Sequence, residues 1–265
     1  MDKTATIVQF RAMVENLPSS KKNLSVAKNL VQAAEDSKGV IDLSDPDFLR
    51  ILNALQESVE FFVLNDKIKE ATYIAERYID FLEELDNPDE MISRTQSLAN
   101  TFFAKKDSAY HIYSEDLVNR VVSFLDDDSM LEKLGSLLIE IAQTLQKVKI
   151  YEMAINYYER GVTYFIDANN KDQVLQEISS LLETARVLSL KNNEYSSNYI
   201  DLVNNLVKEA DIDLSSDVNT QLAYQSFSDH LLKSSKDVVE GRFTQSGRLH
   251  KKKREFFKKK LLEDD

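Results

Sequence analysis

Residues 134–165 read LGSLLIEIAQTLQKVKIYEMAINYYERGVTYF, and two helical faces are legible in them. Leu134, Leu137, Leu138, Ile141, Leu145 and Val148 recur at three- and four-residue spacing, which lines one side of a helix. Tyr151, Ala154, Ile155, Tyr158, Val162 and Phe165 do the same after a short polar break around Lys147 to Lys149. A single pair of this kind cannot bury both of its apolar faces, so neighbouring pairs have to stack against it.

Working outward, helix-start signals recur along the chain. Asp45-Pro46 and Asn87-Pro88 each set a capping side chain before a proline at the first helical position. Glu90 lies three residues after Asn87, and Ser129 with Glu132 has the spacing of a capping box. With Thr4, with Asn170 and Asp172, and with Ser215 to Asp217, the expected starts fall near 4, 46, 88, 129, 171 and 215. Second breaks come at Leu17–Ser20, Asn65-Asp66, Lys105–Ser108, Lys147–Lys149 and Asn192-Asn193. The expectation is an all-α, right-handed α-solenoid of about five antiparallel hairpins with a period of about 42 residues. A further helix over about 215–239 and a basic tail would follow. The repeat domain would span 1–240 and the tail 241–265.

Residues 138–161 resemble a tetratricopeptide repeat. Leu138, Ile141-Ala142 and Leu145 match the large and small positions of that motif's first helix. Tyr151, Ala154, Tyr158 and Gly161 match those of its second. Leu55, Phe62, Ile68, Ala71 and Ala75 fit the same pattern more loosely. The period exceeds the ~34 residues of ordinary arrays of this motif. Longer hairpins, an acidic chain and the stretch YEMAINYYERGVTYFIDANNKDQVLQEISSLLETARVLSLKNNEY (151–195) are similar to the soluble NSF attachment protein (SNAP) family. That resemblance implies a concave face gripping a bundle of helices, a C-terminal end that engages a hexameric ATPase, and a role in vesicle trafficking. Two features depart from the family: the first loop, Leu17–Lys22, lacks its membrane-touching phenylalanines, and a basic segment precedes the acidic C-terminus. A superficial echo of the fourteen-three-three family at Asn23–Ala27 fails for want of tryptophan and of an Arg/Arg/Tyr phosphate pocket.

Composition narrows the chemistry. Only 5 Gly and 3 Pro occur in 265 residues, with none of the prolines after Pro88, so long segments are free to stay helical. Cysteine is absent, which removes disulfides, thiolate metal sites and a cysteine nucleophile. No phosphate-cradling glycine motif or nucleophile elbow occurs, and His111, His230 and His250 form no metal-ligand spacing. His111 is expected to pack beside Tyr110 and Tyr113, and the acidic run Asp126–Asp128 to serve the helix start that follows it. The expectation is therefore no catalytic, cofactor or metal residues. The N-terminus lacks a signal-peptide layout and no stretch is apolar enough to span a bilayer, which reads as cytoplasmic.

Charge is unevenly spread. The net charge is −12, yet residues 242–265 hold nine Lys/Arg against four Asp/Glu, leaving −17 on the first 241 residues. An acidic body repels nucleic acid along its main surface. In the tail, Leu249, Phe256, Phe257 and Leu261 would share one side of a helix. Arg248, Lys251, Lys252, Lys253, Arg254, Lys258, Lys259 and Lys260 would surround it. Such a segment suits an anionic membrane, an acidic partner or nucleic acid, and equally a solvated terminus. The leading reading is a non-enzymatic adaptor that binds a protein, as a helical bundle or peptide, on its concave face. The alternative is a nucleic-acid- or membrane-associated protein acting through the tail.

Overall fold

The computed structural model describes residues 3–15, 23–85, 87–127, 129–191 and 193–212. These form ten helices: α1 (Lys3–Glu15), α2 (Leu24–Ser37), α3 (Pro46–Leu64), α4 (Ile68–Glu84), α5 (Pro88–Phe103), α6 (Ser108–Phe124), α7 (Leu131–Lys147), α8 (Tyr151–Asp167), α9 (Lys171–Leu190) and α10 (Ser196–Glu209). No strand occurs among the described residues, only an isolated bridge between Lys38 and Ile41. The break expected at Leu17–Ser20, the helix expected over 215–239 and the boundary at 240/241 lie outside the described residues.

The chain divides into two compact units, residues 1–169 and 170–265. In the first, α3 packs on α4, α5 on α6 and α7 on α8. Across pairs, α1 meets α3, α3 meets α5 and α5 meets α7, while α2 meets α4 and α4 meets α6. In the second, α9 and α10 fold back on each other, and the Ser196 hydroxyl donates to the Ala185 carbonyl at 3.0 Å.

Helix starts follow the capping chemistry at most positions. Asp45 accepts from the Asp47 N–H at 2.8 Å, Asn87 from the Glu90 N–H at 3.2 Å and Asn170 from the Gln173 N–H at 3.2 Å, with Pro46 and Pro88 at the first helical positions. The expected box at Ser129 and Glu132 does not form. Asp127 Oδ1 instead takes the Ser129 N–H at 2.8 Å, which turns the chain once more, and α7 begins at Leu131 behind Met130. Local side-chain capture of a backbone donor competes with the helix cap.

Turns inside the pairs are closed without glycine. Lys67 N–H reaches back to the Phe62 carbonyl at 2.9 Å with Asp66 at φ 57°, and Ile150 N–H to the Leu145 carbonyl at 2.9 Å with Lys149 at φ 68°. Both are the double-bonded closure that satisfies the last carbonyls of a helix.

The tightest packing lies between α7 and α8. A Cβ on Gly135 would meet the Gly161 carbonyl oxygen at 2.9 Å and the Phe165 ring at 2.9 Å. A Cβ on Gly161 would meet Ile139 at 2.9 Å and the Gly135 carbonyl oxygen at 3.0 Å. The two backbones therefore touch at these residues, and Leu138, Ile141, Ala142, Leu145, Ala154 and Tyr158 are buried around the crossing. Gly135→Ala gains about 1 kcal/mol of helix propensity but forces apart a backbone contact that cannot rotate away, costing about 1–3 kcal/mol. We expect a net loss of stability in a urea melt; a gain would contradict the crossing.

Candidate protein-binding face

The odd-numbered helices α3, α5 and α7 lie side by side in the first unit and carry a polar outer face. Its seams are made by residues about one helical pair apart. Lys133 Nζ lies 2.6 Å from Asp89 Oδ1, and Gln96 Nε2 donates to Glu140 Oε2. Both join α5 to α7 at the same 44-residue offset, so the two helices run parallel. Between them lies a groove of about 310 Å³ lined by Asp89, Ile92, Gln96, Glu132, Ser136 and Glu140, among others. Lys133 and Asp89 neutralise each other, and Glu132 and Glu140 leave the groove with net negative charge.

A second seam joins α3, α4 and α5 below the surface. Tyr78 Oη donates to Gln56 Oε1 at 3.0 Å. Arg94 Nη1 donates to the same oxygen at 3.3 Å and to Tyr78 Oη at 3.1 Å, while its Nε donates to Glu90 Oε1 at 2.5 Å. The amide of Gln56 donates in turn to Ser97 at 3.0 Å and Glu60 at 3.2 Å. Sequence reading missed this network because the bonds between its helices span 16 to 41 residues and none forms a motif. The even-numbered side has its own junction, where Arg120 donates to Glu83 at 2.6 and 2.7 Å and to Asp80 at 2.7 Å, tying α6 to α4.

His111 sits where the sequence did not put it. Its Nε2 lies 2.6 Å from the Lys105 carbonyl and its ring 6.0 Å from that of Phe103. Tyr110 and Tyr113 pack on Phe102 instead, at 6.1 and 4.9 Å. Positions 110 and 113 share a helix face and 111 does not, which separates the rings. Asp126, from the expected acidic run, accepts from Tyr164 Oη at 3.5 Å. In the second unit Glu177 is buried, accepts from Gln173 at 2.9 Å, and has its carboxyl pushed up by desolvation. Among the described residues no group of three His, Cys, Asp or Glu is placed to hold a metal ion. The expected tail residues Arg248, Leu249, Lys251–Lys253, Arg254, Phe256, Phe257 and Lys258–Lys260 lie outside the described residues, as do His230 and His250. No helix among the described residues is long and apolar enough to cross a membrane.

Compared with family models, curated proteins and solved structures, the chain matches none.

Burial pushes the Tyr78 phenol up to about 12, so it stays a donor at neutral pH. A folded value above the unfolded value near 10 means the stability is fully present below about pH 10 and is lost as pH rises toward 12. Tyr78→Phe removes one donor to Gln56 and one acceptor of Arg94, which still bond each other, and should cost about 0.5–1.5 kcal/mol at pH 7. It should also soften the alkaline loss; equal pH slopes for both proteins in denaturant melts at pH 8 to 11 would contradict this.

Proposed function

We propose that the chain is a protein-binding scaffold whose stacked helical pairs form a right-handed solenoid with a period of about 42 residues. The observation that carries this reading is the parallel seam between α5 and α7, whose acidic groove lies on the side the odd-numbered helices share. Helices that start at Pro46, Pro88, Leu131 and Lys171 support the repeat. The ligand on this reading is a protein segment, as a helix or a helical bundle, with basic side chains facing Glu132 and Glu140. An adaptor role like that of SNAPs in membrane traffic is the narrower form of the proposal, supported by the tetratricopeptide-like spacing of residues 138–161. A fold of this class hosts many functions, so the site and not the architecture has to carry the test.

A second reading is favoured by the composition of 242–265, nine basic residues interspersed with six apolar ones, and makes the tail the contact with membrane or nucleic acid.

The two separate in one experiment. The full chain and its Glu132→Lys/Glu140→Lys variant would be used as bait in native lysate, with nuclease treatment, and compared by quantitative mass spectrometry. We expect specific protein partners to fall about tenfold or more with the variant, as the loss of the facing charge pairs requires. An unchanged partner set would overturn the groove, and partners lost only on nuclease treatment would favour the tail.

A further inference from the structure

The turns of the first unit segregate charge by edge. The turns within pairs carry Lys67 and Lys69, Lys105 and Lys106, and Lys147 and Lys149. The connections between pairs carry Asp42, Asp45 and Asp47, then Glu84, Asp89 and Glu90, then Asp126, Asp127 and Glu132. Contacts place each set along one edge. Lys105 Nζ bridges to Asp66 at 2.5 Å, joining the α3–α4 turn to the α5–α6 turn. The 44-residue parallel register of α5 and α7 continues that line to the α7–α8 turn. On the opposite edge Lys38 bridges to Glu84 at 2.7 Å and Lys133 to Asp89 at 2.6 Å.

Helix dipoles do not explain the sorting. Every turn on either edge joins one helix C-terminus to one N-terminus, so the dipole preference is the same on both. Acids are present on the lysine edge too, at Asp66, Glu70, Asp107 and Glu152, but Asp66 is paired with Lys105 and Asp107 caps α6. Lys67, Lys69, Lys106, Lys147 and Lys149 are exposed.

Apolar side chains are interleaved with these lysines. Leu64 is 70% exposed at the end of α3, Ile112 60% exposed one turn into α6, and Val148 41% exposed at the end of α7. A lysine row beside projecting aliphatics matches the interface of a bilayer, where ammonium groups meet anionic headgroups and alkyl groups enter the acyl boundary. All six basic residues are lysines, which act as point charges on a diffuse anionic surface; recognition of a fixed phosphate geometry favours the arginine fork.

We propose that this lysine-and-aliphatic edge docks the first unit on an anionic lipid membrane. The surface is separate from the acidic groove, and the proposal stands or falls independently of what the groove binds.

The test is co-sedimentation of the full chain with vesicles of phosphatidylcholine alone and with about a third phosphatidylserine, a fraction that sets a strongly negative surface. Wild type should pellet with the anionic vesicles only. Lys69→Glu/Lys106→Glu/Lys147→Glu should weaken pelleting about tenfold or more, each lysine near the surface contributing separately. Leu64→Ser/Val148→Ser should remove the part of binding that survives raised salt. Circular dichroism would check folding, and the milder Lys→Gln set stands in should the reversals unfold the chain. Absence of wild-type pelleting, or pelleting untouched by both sets, would overturn the proposal. So would self-association in sedimentation velocity that the lysine variant abolishes without any vesicle binding, which would assign the edge to a second copy's acidic edge.

Discussion

Two backbones in contact set the geometry of the first unit. Where α7 crosses α8, Gly135 and Gly161 leave no room for a Cβ, and each carbonyl oxygen lies within 3.0 Å of where the other residue's methyl would be. Close approach at one point fixes how far apart the helices stand over the rest of their length. The buried ring of Tyr157 then sits 6.0 Å from that of Phe103, edge to face, so α8 also seats the end of α5. From α5 the packing passes to α3 and to α7, with Leu98, Phe102, Leu134, Leu137 and Ile141 all buried, because long apolar helices can satisfy both faces only by taking neighbours.

Apolar packing of this kind is tolerant of sliding, and polar seams restrict it. Gln56, Tyr78 and Arg94 sit partly below the surface, where each hydrogen bond is directional and a lost partner is costly. Shifting α3 by one turn against α5 would break the bonds to Ser97 and Arg94 together. Arg120 does the corresponding job between α4 and α6, its guanidinium raised by the carboxylates of Glu83 and Asp80. The exposed pair Lys133–Asp89 contributes little stability by itself. Its importance is that it reports the register.

Helix class and most helix limits were legible in the sequence. Pro46 and Pro88 start helices where their caps said they would, and Asn65-Asp66, Lys105–Asp107 and Asn193 interrupt them. Local signals suffice there because caps and prolines act within four residues. The failures come from competition or from distance. Ser129 lost its capping role to Asp127, a choice between two local hydrogen bonds that spacing cannot rank. Gly161 falls at a small position of the repeat pattern, whereas nothing local marks Gly135, since its need for space arises from a residue 26 positions away. Charge sorting between the two edges was invisible because lysines and aspartates in successive turns look like ordinary solvated loops until the helices between them are stacked. The tail, the most distinctive segment in the sequence, lies outside the described residues, so its chemistry is still that of its composition.

The parallel register of α5 on α7 is the central claim, because both the acidic groove and the lysine edge depend on it. The chain has no cysteine, so a pair introduced at Gln96 and Glu140 is the sole pair a thiol reagent can join. A short bis-maleimide should cross-link Gln96→Cys/Glu140→Cys rapidly within the native monomer, and Asp89→Cys/Glu140→Cys slowly, since seven residues of helix add about 10 Å. Fast closure of the second pair with no closure of the first would contradict the register, and with it the arrangement of the helices.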